Sequence, residues 1–281
     1  MKMNLVLQGP RDKLASIAAI ADPARVVTLA DGALRAEDVE AGERVRAAVS
    51  LAAFPAGVDA NFIGAGRTLS DFKLVAMDMD STLITIECID EIADMQGLKA
   101  QVSDITEAAM RGELDFAASL MRRVALLEGL DASALERVYE ERLQLSPGAE
   151  AMLAGARAAG MKTLLVSGGF TFFTERLQQR LGLDFAHANV LEVRGGKLTG
   201  KVLGAIVDAQ EKKRTVERVC AELGVSPQQA IVMGDGANDL QMMSIAGLSV
   251  AFRAKPVVRV QADIALNFSG LDALLTILSE S

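Results

Sequence analysis

Histidine is almost absent from this sequence of 281 residues, which contains only His187. That residue stands in the stretch LDFAHANV, outside any recognisable site motif, so a Ser-His or Cys-His catalytic scheme has little support. A metal site built on several histidines is excluded. Acid–base chemistry must therefore depend on carboxylates or lysine, and we expect a structural or surface role for His187.

Cysteine and long apolar runs are also scarce. The two cysteines, Cys88 and Cys220, form neither a metal-ligand spacing nor a disulfide framework, and we expect both to be reduced core thiols. No run approaches the ~18 apolar residues of a membrane helix. The N-terminal stretch, MKMNLVLQGPRD, lacks the apolar segment of a signal peptide. A cytoplasmic location without membrane contact is the default expectation.

Positive charge is in the minority, because 29 Lys and Arg residues against 37 Asp and Glu give a formal net charge of −8. This balance argues against a nucleic-acid partner, which needs clustered cations. A small anionic substrate remains compatible, since a local pocket can oppose the net charge. The 51% hydrophobic and 23% charged residues indicate a globular protein of one large domain or two ordinary ones.

The first 70 residues differ from the rest of the chain. They contain Ala-rich and charged stretches, one strand-like run, NLVLQ, and no catalytic constellation. The segment 57–72, GVDANFIGAGRTLSDF, is rich in Gly and polar residues and predicts a linker or loop. We therefore place a domain boundary near residue 70, with a small N-terminal domain at 1–70 and a core domain at 71–281.

From residue 71, short apolar runs alternate with amphipathic stretches. The runs are KLVAM, MKTLLV, QAIVM, LSVAF and ADIAL. Continuous apolar runs of this length, separated by helical segments, are typical of buried parallel strands. The sequence predicts an α/β fold with a doubly wound parallel sheet. Gly195 and Gly196 separate two further strand-like runs and predict an edge hairpin.

The sheet pattern is interrupted by a helical, strand-poor insertion at about 86–146. Breaks at Gly97, Gly112 and Gly129 divide it into roughly four helices. Sixty residues are far more than a connection between a strand and a helix needs. We interpret the insertion as a small helical cap over the site.

Polar clusters directly follow three of the predicted strands. The clusters are Asp78-Met79-Asp80-Ser81-Thr82, Ser167-Gly168-Gly169 and Gly234-Asp235-Gly236-Ala237-Asn238-Asp239. Because ligands of open α/β sheets bind outside the carboxyl ends of the strands, these clusters are expected to converge. Carboxylates about 4 Å apart repel by about 4 kcal/mol per pair at an effective dielectric of 20. The sequence therefore predicts a cation held by hard oxygen ligands, which suits Mg²⁺ and phosphoryl chemistry.

The Asp-x-Asp spacing has a chemical logic of its own. Residues i and i+2 of an extended chain point to the same side, so Asp78 can attack phosphorus while Asp80 reaches the leaving oxygen as general acid and then serves as base. Thr82 and Ser167 are candidate hydroxyl donors to phosphate. The Gly168 and Gly169 amides are accessible to an anion. A lysine is needed for charge balance, and the candidates are Lys212 and Lys213.

Taken together, DMDSTLIT, SGGF, the intervening lysine and GDGANDLQM resemble the haloacid dehalogenase superfamily of phosphohydrolases. The runs MRRVALLEG, LLVSGGFTFF, GLDFAHAN and KLTG extend the resemblance to the phosphoserine phosphatases, nearly end to end over residues 71–281. The resemblance implies Mg²⁺-dependent hydrolysis of O-phospho-L-serine through an aspartyl-phosphate intermediate, the last step of serine biosynthesis. It also implies a haloacid dehalogenase-like core, a four-helix cap and a small, regulatory-like α+β domain at the N-terminus.

The resemblance further implies a role for each matching residue. Asp78 is implied as nucleophile and Asp80 as acid and base, and both would hold Mg²⁺ with Asp235, Asp80 through its backbone carbonyl. The implied substrate-binding residues are Ser167, Gly168, Lys212 and Asn238 around the phosphate and metal, Glu87 for the ammonium, Arg123 for the carboxylate, and Met110 and Phe116 as an apolar wall. Asp239 is expected to support the metal site together with Asn238.

Two alternative functions remain open at this stage, and a third is excluded. A related phosphatase or phosphotransferase acting on another small phosphate ester would use the same core, and only the cap residues discriminate. A catalytically silent binding protein could share the fold, although every catalytic position is filled. An ion-pumping ATPase is excluded by the absence of apolar spans. The N-terminal region could be a remnant fold, a homodimer surface or an amino-acid sensor.

Overall fold

The computed structural model describes residues 2–110 and 113–280, which form two β-sheets with flanking helices. The first sheet has four antiparallel strands in the order β2-β3-β1-β4. Its elements are β1 Lys2–Gln8, α1 Arg11–Ala19, β2 Arg25–Ala30, β3 Ala33–Glu40, α2 Glu43–Ala53 and β4 Asp59–Gly64. Leu5 and Leu7 of β1 pack with α1 and α2, whereas Val6, on the opposite face, packs with the core of the second sheet.

The segment 57–72 is not the loop that the sequence indicated. Residues 59–64 form β4, the edge strand that pairs with β1, and a short 3₁₀ turn at Leu69–Asp71 follows. The prediction was wrong because polar residues of this strand are buried: Asp59 is 0% and Asn61 3% exposed. Their side chains bind backbone groups of the second sheet, so their polarity does not mark a solvated loop. The division into two domains near residue 70 stays a prediction.

The second sheet has seven strands in the order β11-β10-β9-β5-β6-β7-β8. The strands are β5 Leu74–Met77, β6 Lys162–Phe170, β7 Phe185–Arg194, β8 Lys197–Leu203, β9 Ala230–Gly234, β10 Leu248–Phe252 and β11 Ile264–Leu266. All neighbours pair in parallel except β7 and β8, the predicted edge hairpin. Every residue of β5, β9 and β10 is buried, which confirms the α/β sheet predicted from the apolar runs.

Helices cover both faces of this sheet. They are α7 Ala149–Ala158, α8 Thr171–Leu181, α9 Ala209–Glu222, α10 Leu240–Met243, α11 Pro256–Arg259 and α12 Ala273–Ile277. Along β5, Val75 and Met77 belong to one apolar cluster and Leu74 and Ala76 to another. This alternation places one core on each side of the sheet, as expected for a doubly wound fold.

The insertion between β5 and α7 forms the predicted four-helix cap. Its helices are α3 Cys88–Asp94, α4 Lys99–Met110, α5 Phe116–Ala125 and α6 Ser133–Glu141. An antiparallel bridge between Ile84 and Leu145 joins the entry and exit of the cap. The β7–β8 hairpin holds the far side, where Leu198 exchanges backbone hydrogen bonds of 2.9 and 2.8 Å with Gly129 and Leu130. The cap is therefore attached at two places over the sheet.

Several sequence expectations concern residues away from the strand ends. His187 lies on β7, where its Nε2 is 3.6 Å from Glu211 Oε1. Burial lowers the pKa of the His187 imidazole. Both cysteines are buried free thiols. Among residues 2–110 and 113–280, no helix is long and apolar enough to cross a membrane.

Candidate active site

The three polar clusters meet at the carboxyl edge of the seven-stranded sheet. Met77, the last residue of β5, is in register with Met233 of β9 on one side and Leu165 of β6 on the other. Asp78 and Asp235 therefore leave adjacent strands at the same edge, and Ser167 lies on the next strand. The Asp78 N–H donates to the Met233 carbonyl at 3.0 Å, which fixes the backbone just before the site.

A buried lysine neutralises part of this cluster. The Lys212 ammonium lies 2.8 Å from Asp78 Oδ2 and 2.8 Å from Asp239 Oδ1, and the three side chains are at most 7% exposed. Burial alone would lower the pKa of Lys212, but the two carboxylates outweigh it and raise the pKa. Lys213 instead points along the helix surface, 3.9 Å from Glu217. Of the two candidate lysines, only Lys212 reaches the strand ends.

Asp78 remains electrostatically strained despite that partner. Burial raises the pKa of Asp78 well above its usual value, the charge of Asp239 raises it further, and Lys212 opposes both. Asp78 Oδ2 contacts Lys212, and Oδ1 accepts from the Met79 N–H at 2.7 Å. A buried carboxylate that lacks full compensation favours the approach of another cation.

Three carboxylates are placed to hold that cation. One oxygen each of Asp78, Asp235 and Asp239 lies within 4.8 Å of the others. Burial, and then the charge of Asp239, raises the pKa of Asp235 to about 7. Asp239 accepts the most hydrogen bonds of the three. Its Oδ2 accepts from the Asp235 and Gly236 N–H groups at 3.1 Å, and its Oδ1 accepts from Lys212. This all-oxygen donor set fits a hard divalent cation, with Asp78 and Asp235 as the freer ligands.

Asp80 is held apart from this carboxylate cluster. Its Oδ1 accepts from the Cys88 N–H at 3.0 Å, at the first residue of α3. Burial, followed by the charge of Glu87, raises the pKa of Asp80 from 3.8 to about 7. A carboxyl group with this pKa can donate and accept a proton near neutrality. Its side chain therefore suits proton transfer.

The second cluster forms a closely packed glycine corner. A Cβ at Gly169 would lie 2.7 Å from Asp80 Oδ2, and a Cβ at Gly168 would lie 2.7 Å from Cζ of Phe116 in the cap. Ser167 Oγ accepts from the Gly169 N–H at 2.8 Å, which leaves the hydroxyl proton free to donate. A Cβ at either position would force a neighbouring side chain to move, and the Gly169 N–H, which the sequence suggested for anion binding, is used within the corner by Ser167.

One supporting residue escaped the sequence analysis. Asn189 is 1% exposed; its Nδ2 donates to the Gly168 carbonyl and its Oδ1 accepts from the Val207 N–H, both at 2.8 Å. Asn189 therefore fixes the glycine corner from β7. Its motif, GLDFAHAN, carried part of the resemblance, but nothing in the sequence indicated which side-chain partners it has.

Thr82 and Asn238 lie beside the metal cluster. Thr82 Oγ1 donates to Asp235 Oδ1 at 3.3 Å, so its hydroxyl orients a carboxylate, whereas the sequence suggested a donor to phosphate. Asn238 is half-buried in the 3₁₀ turn Ala237–Asp239, next to Gly236. Thr82 therefore contacts one of the three clustered carboxylates, and Asn238 precedes another in the chain.

The cap supplies charges of both signs next to Asp80. Glu87 is exposed, and its Oε1 accepts from Ser81 Oγ at 2.6 Å. Arg123 is half-buried on α5; burial lowers its pKa, and the negative charges of Asp90, Glu87 and Asp80 oppose that shift. A cation and an anion therefore lie close enough to influence one another at the base of the cap.

The remaining cap residues differ in how far the structure describes them. Phe116, the first residue of α5, extends its ring to Gly168. Arg122, next to Arg123 on α5, is exposed, as expected for a solvated charge. The side chain of Met110 lies outside the described part of the chain.

Comparison with known proteins agrees with this geometry. The family model of haloacid dehalogenase-like hydrolases matches residues 72–247. A phosphoserine phosphatase of Polaromonas sp. is 57% identical over 212 residues, covering 74% of this chain and 90% of the relative. The crystal structure of a hydrolase of the same superfamily from Salmonella enterica serovar Typhi aligns with a TM-score of 0.89 at 31% identity, covering 99% of both chains.

A second solved structure also includes the N-terminal sheet. A probable phosphoserine phosphatase from Vibrio cholerae, in unliganded form, aligns with a TM-score of 0.82 at 36% identity, covering 99% of this chain and 86% of that one. The chain therefore belongs to the haloacid dehalogenase-like hydrolases and, within them, to the phosphoserine phosphatases.

Proposed function

We propose that this chain hydrolyses O-phospho-L-serine to L-serine and phosphate, as a Mg²⁺-dependent phosphoric monoester hydrolase. The observation that carries the proposal is the pair Asp78 and Asp80. One carboxylate is buried against Lys212, and the other, two residues later, has a pKa of about 7. Nucleophile and proton donor thus stand side by side, as phosphoryl transfer to an aspartate requires.

The reaction proceeds in two transfers. In the first, the Asp78 carboxylate attacks phosphorus, the bond to the serine oxygen breaks, and Asp80 gives that oxygen its proton. In the second, Asp80 takes a proton from water, which attacks the phosphorus and releases phosphate from Asp78. Asp80 ends the cycle protonated and Asp78 ends it as a free carboxylate, so protons and charge balance over the turnover.

Binding of the phosphoryl group uses the neighbouring donors. The Lys212 ammonium contacts Asp78, and the Ser167 hydroxyl and the Gly168 amide would be further donors to the phosphoryl group. Mg²⁺ held by Asp78 and Asp235, with the Asp80 carbonyl, would neutralise charge on the phosphoryl oxygens. Thr82 and Asp239 orient and position this metal site.

Choice of substrate rests on the cap. Glu87 would pair with the ammonium and Arg123 with the carboxylate of phosphoserine, while Phe116 would contribute to the apolar wall of the site. A phosphatase or phosphotransferase for another small phosphate ester is the alternative. Production of L-serine would make this step the last of serine biosynthesis. We also propose that the chain is cytoplasmic and forms a homodimer.

A substrate panel tests the proposal. We expect kcat/KM for O-phospho-L-serine with Mg²⁺ to exceed the values for phosphoethanolamine, which lacks the carboxylate, for 3-phosphoglycerate, which lacks the ammonium, and for a sugar phosphate. A preference for either partial substrate or for the sugar phosphate would contradict the assigned roles of Glu87 and Arg123. Full activity after rigorous removal of metal would contradict the assigned metal site.

A further inference from the structure

A cleft lies between the two sheets, on the side of the molecule formed by α2 and α11. Its volume is about 340 Å³. Ala53, Val58, Ala60 and Ala265 form apolar walls, contributed by both halves of the chain. Pockets of this size hold small molecules. No residue assigned above to the active site lines it.

One cation stands in this apolar cleft. Arg259 is half-buried, its guanidinium carbon lies 5.1 Å from the centre of the Phe54 ring, and Nη1 lies 3.5 Å from Asn267 Oδ1. Within the described ranges 2–110 and 113–280, no carboxylate lies within 4.0 Å of this guanidinium. The buried Asp59 nearby accepts instead from Asn267 and the residues after it. An arginine that lies against an aromatic ring and has no carboxylate partner is suited to an anion.

The rim of the cleft is apolar and exposed. The large side chains that line it are Phe54 at 48% exposure and Val260 at 81%, and Phe268, at 43%, lies beside Phe54. The Phe54 and Phe268 rings are in contact, with centroids 5.3 Å apart. Apolar groups grouped around a concave site typically mark a place of binding.

We propose that this cleft binds a small organic anion with an apolar body. The anionic head, a carboxylate or sulfonate, pairs with Arg259, and the body lies between the alanine walls and the Phe54 ring. The concave shape and the single recessed cation favour a small molecule over a flat protein surface, which would need a larger complementary area.

Occupancy of the cleft would bear on the metal site. Pro256 and Val260, both in the cleft wall, belong to the turn that starts at Lys255. The Lys255 N–H donates to the Asp235 carbonyl at 3.0 Å. A ligand that shifts α11 therefore shifts Asp235. This part of the inference rests on the proposed metal site, and the coupling must be reciprocal.

The probe for the test is 1-anilinonaphthalene-8-sulfonate, an aromatic anion, titrated into the full chain and followed by fluorescence. We expect saturable binding at one site per chain. Arg259→Gln should weaken it about tenfold, since a charge-assisted contact is lost. Val260→Glu should weaken it as well, because it places a negative charge at the rim, on a side chain that is 81% exposed. Arg122→Gln, an exposed arginine of the cap, is the matched control and should leave binding unchanged.

Melting temperatures of the three variants separate loss of the site from loss of the fold. The proposal would be overturned if the wild type, Arg259→Gln and Val260→Glu bound the probe with equal affinity. So would a concentration-dependent dimer that Val260→Glu dissociates, because the cleft would then belong to a second copy. Saturating Mg²⁺ should change the dissociation constant of the probe; an unchanged constant in an enzyme that is active with Mg²⁺ would overturn the coupling alone.

Discussion

The ammonium of Lys212 lies 2.8 Å from Asp78 Oδ2 in an environment closed to solvent. Its removal leaves Asp78 and Asp239 without their shared cationic partner, and it also removes a donor to the phosphoryl group. We expect Lys212→Met to lower kcat/KM by about 10²–10³-fold or more. Breaking a buried pair also costs about 3–5 kcal/mol of stability. Lys213→Met, at the next position on the helix surface, should change neither quantity; equal losses in both variants would contradict the assignment.

The roles of Asp78 and Asp80 differ in a way that trapping can resolve. Asp78→Asn keeps the shape but lacks the attacking charge, so turnover should fall by several orders of magnitude. Wild-type enzyme quenched in acid after labelled substrate should carry acid-stable, hydroxylamine-labile phosphate on Asp78. Asp80→Asn should slow both formation and hydrolysis of that adduct. Label on Ser81 or Ser167 would rule out this mechanism.

Asp235 gives the metal-free protein a stability that depends on pH. Its pKa is raised from 3.8 to about 7, so the folded state holds the proton more tightly than the unfolded state. The contribution of this proton to the free energy of unfolding is fully present below the unfolded-state pKa, near pH 4. It is lost as the pH rises through the folded-state pKa of about 7. In EDTA, Asp235→Asn should therefore melt a few degrees above the wild type at pH 8 but not at pH 4.

Scanning calorimetry with and without Mg²⁺ checks this prediction. Mg²⁺ should raise the melting temperature of the wild type at pH 8 and have little effect on Asp235→Asn, because the ion binds the folded state through this carboxylate. A variant that melts lower than the wild type by the same amount at both pH values would show that Asp235 stabilises the fold in another way.

Arg123 is predicted to select the substrate. Losing one partner of a desolvated charged contact costs about 2–5 kcal/mol, so Arg123→Ala should lower kcat/KM for phosphoserine by roughly 30- to several-thousand-fold. An aryl phosphate has no carboxylate to lose and should be hardly affected. Arg122→Ala is the matched control on the same helix. If Arg123→Ala slowed both substrates equally, Arg123 would have a structural or catalytic role.

The strands and the strand-end clusters were predictable because buried parallel strands leave continuous apolar runs, and polar residues after them must lie at one edge. Contacts between side chains that are distant in the sequence were not predictable. The residues alone could not show whether Lys212 or Lys213 reaches the site, because that depends on how α9 is oriented. The contacts of Asn189 depend on three segments meeting. The strand β4 was missed because Asp59 and Asn61, polar and buried, have partners that lie more than 200 residues away.

Those two residues have a consequence for the solubility of the chain. Asn61 donates to the Ala265 carbonyl and accepts from its N–H, and Asp59 accepts from the N–H groups of Asn267, Phe268 and Ser269. Thus the outermost strands of the two sheets, β4 and β11, lie side by side. Side chains of β4 bind backbone N–H and C=O groups that could otherwise pair with a strand of another chain. Unpaired strand edges template aggregation. The N-terminal sheet thereby protects the catalytic sheet from pairing with other chains along the β11 edge, whatever else it does.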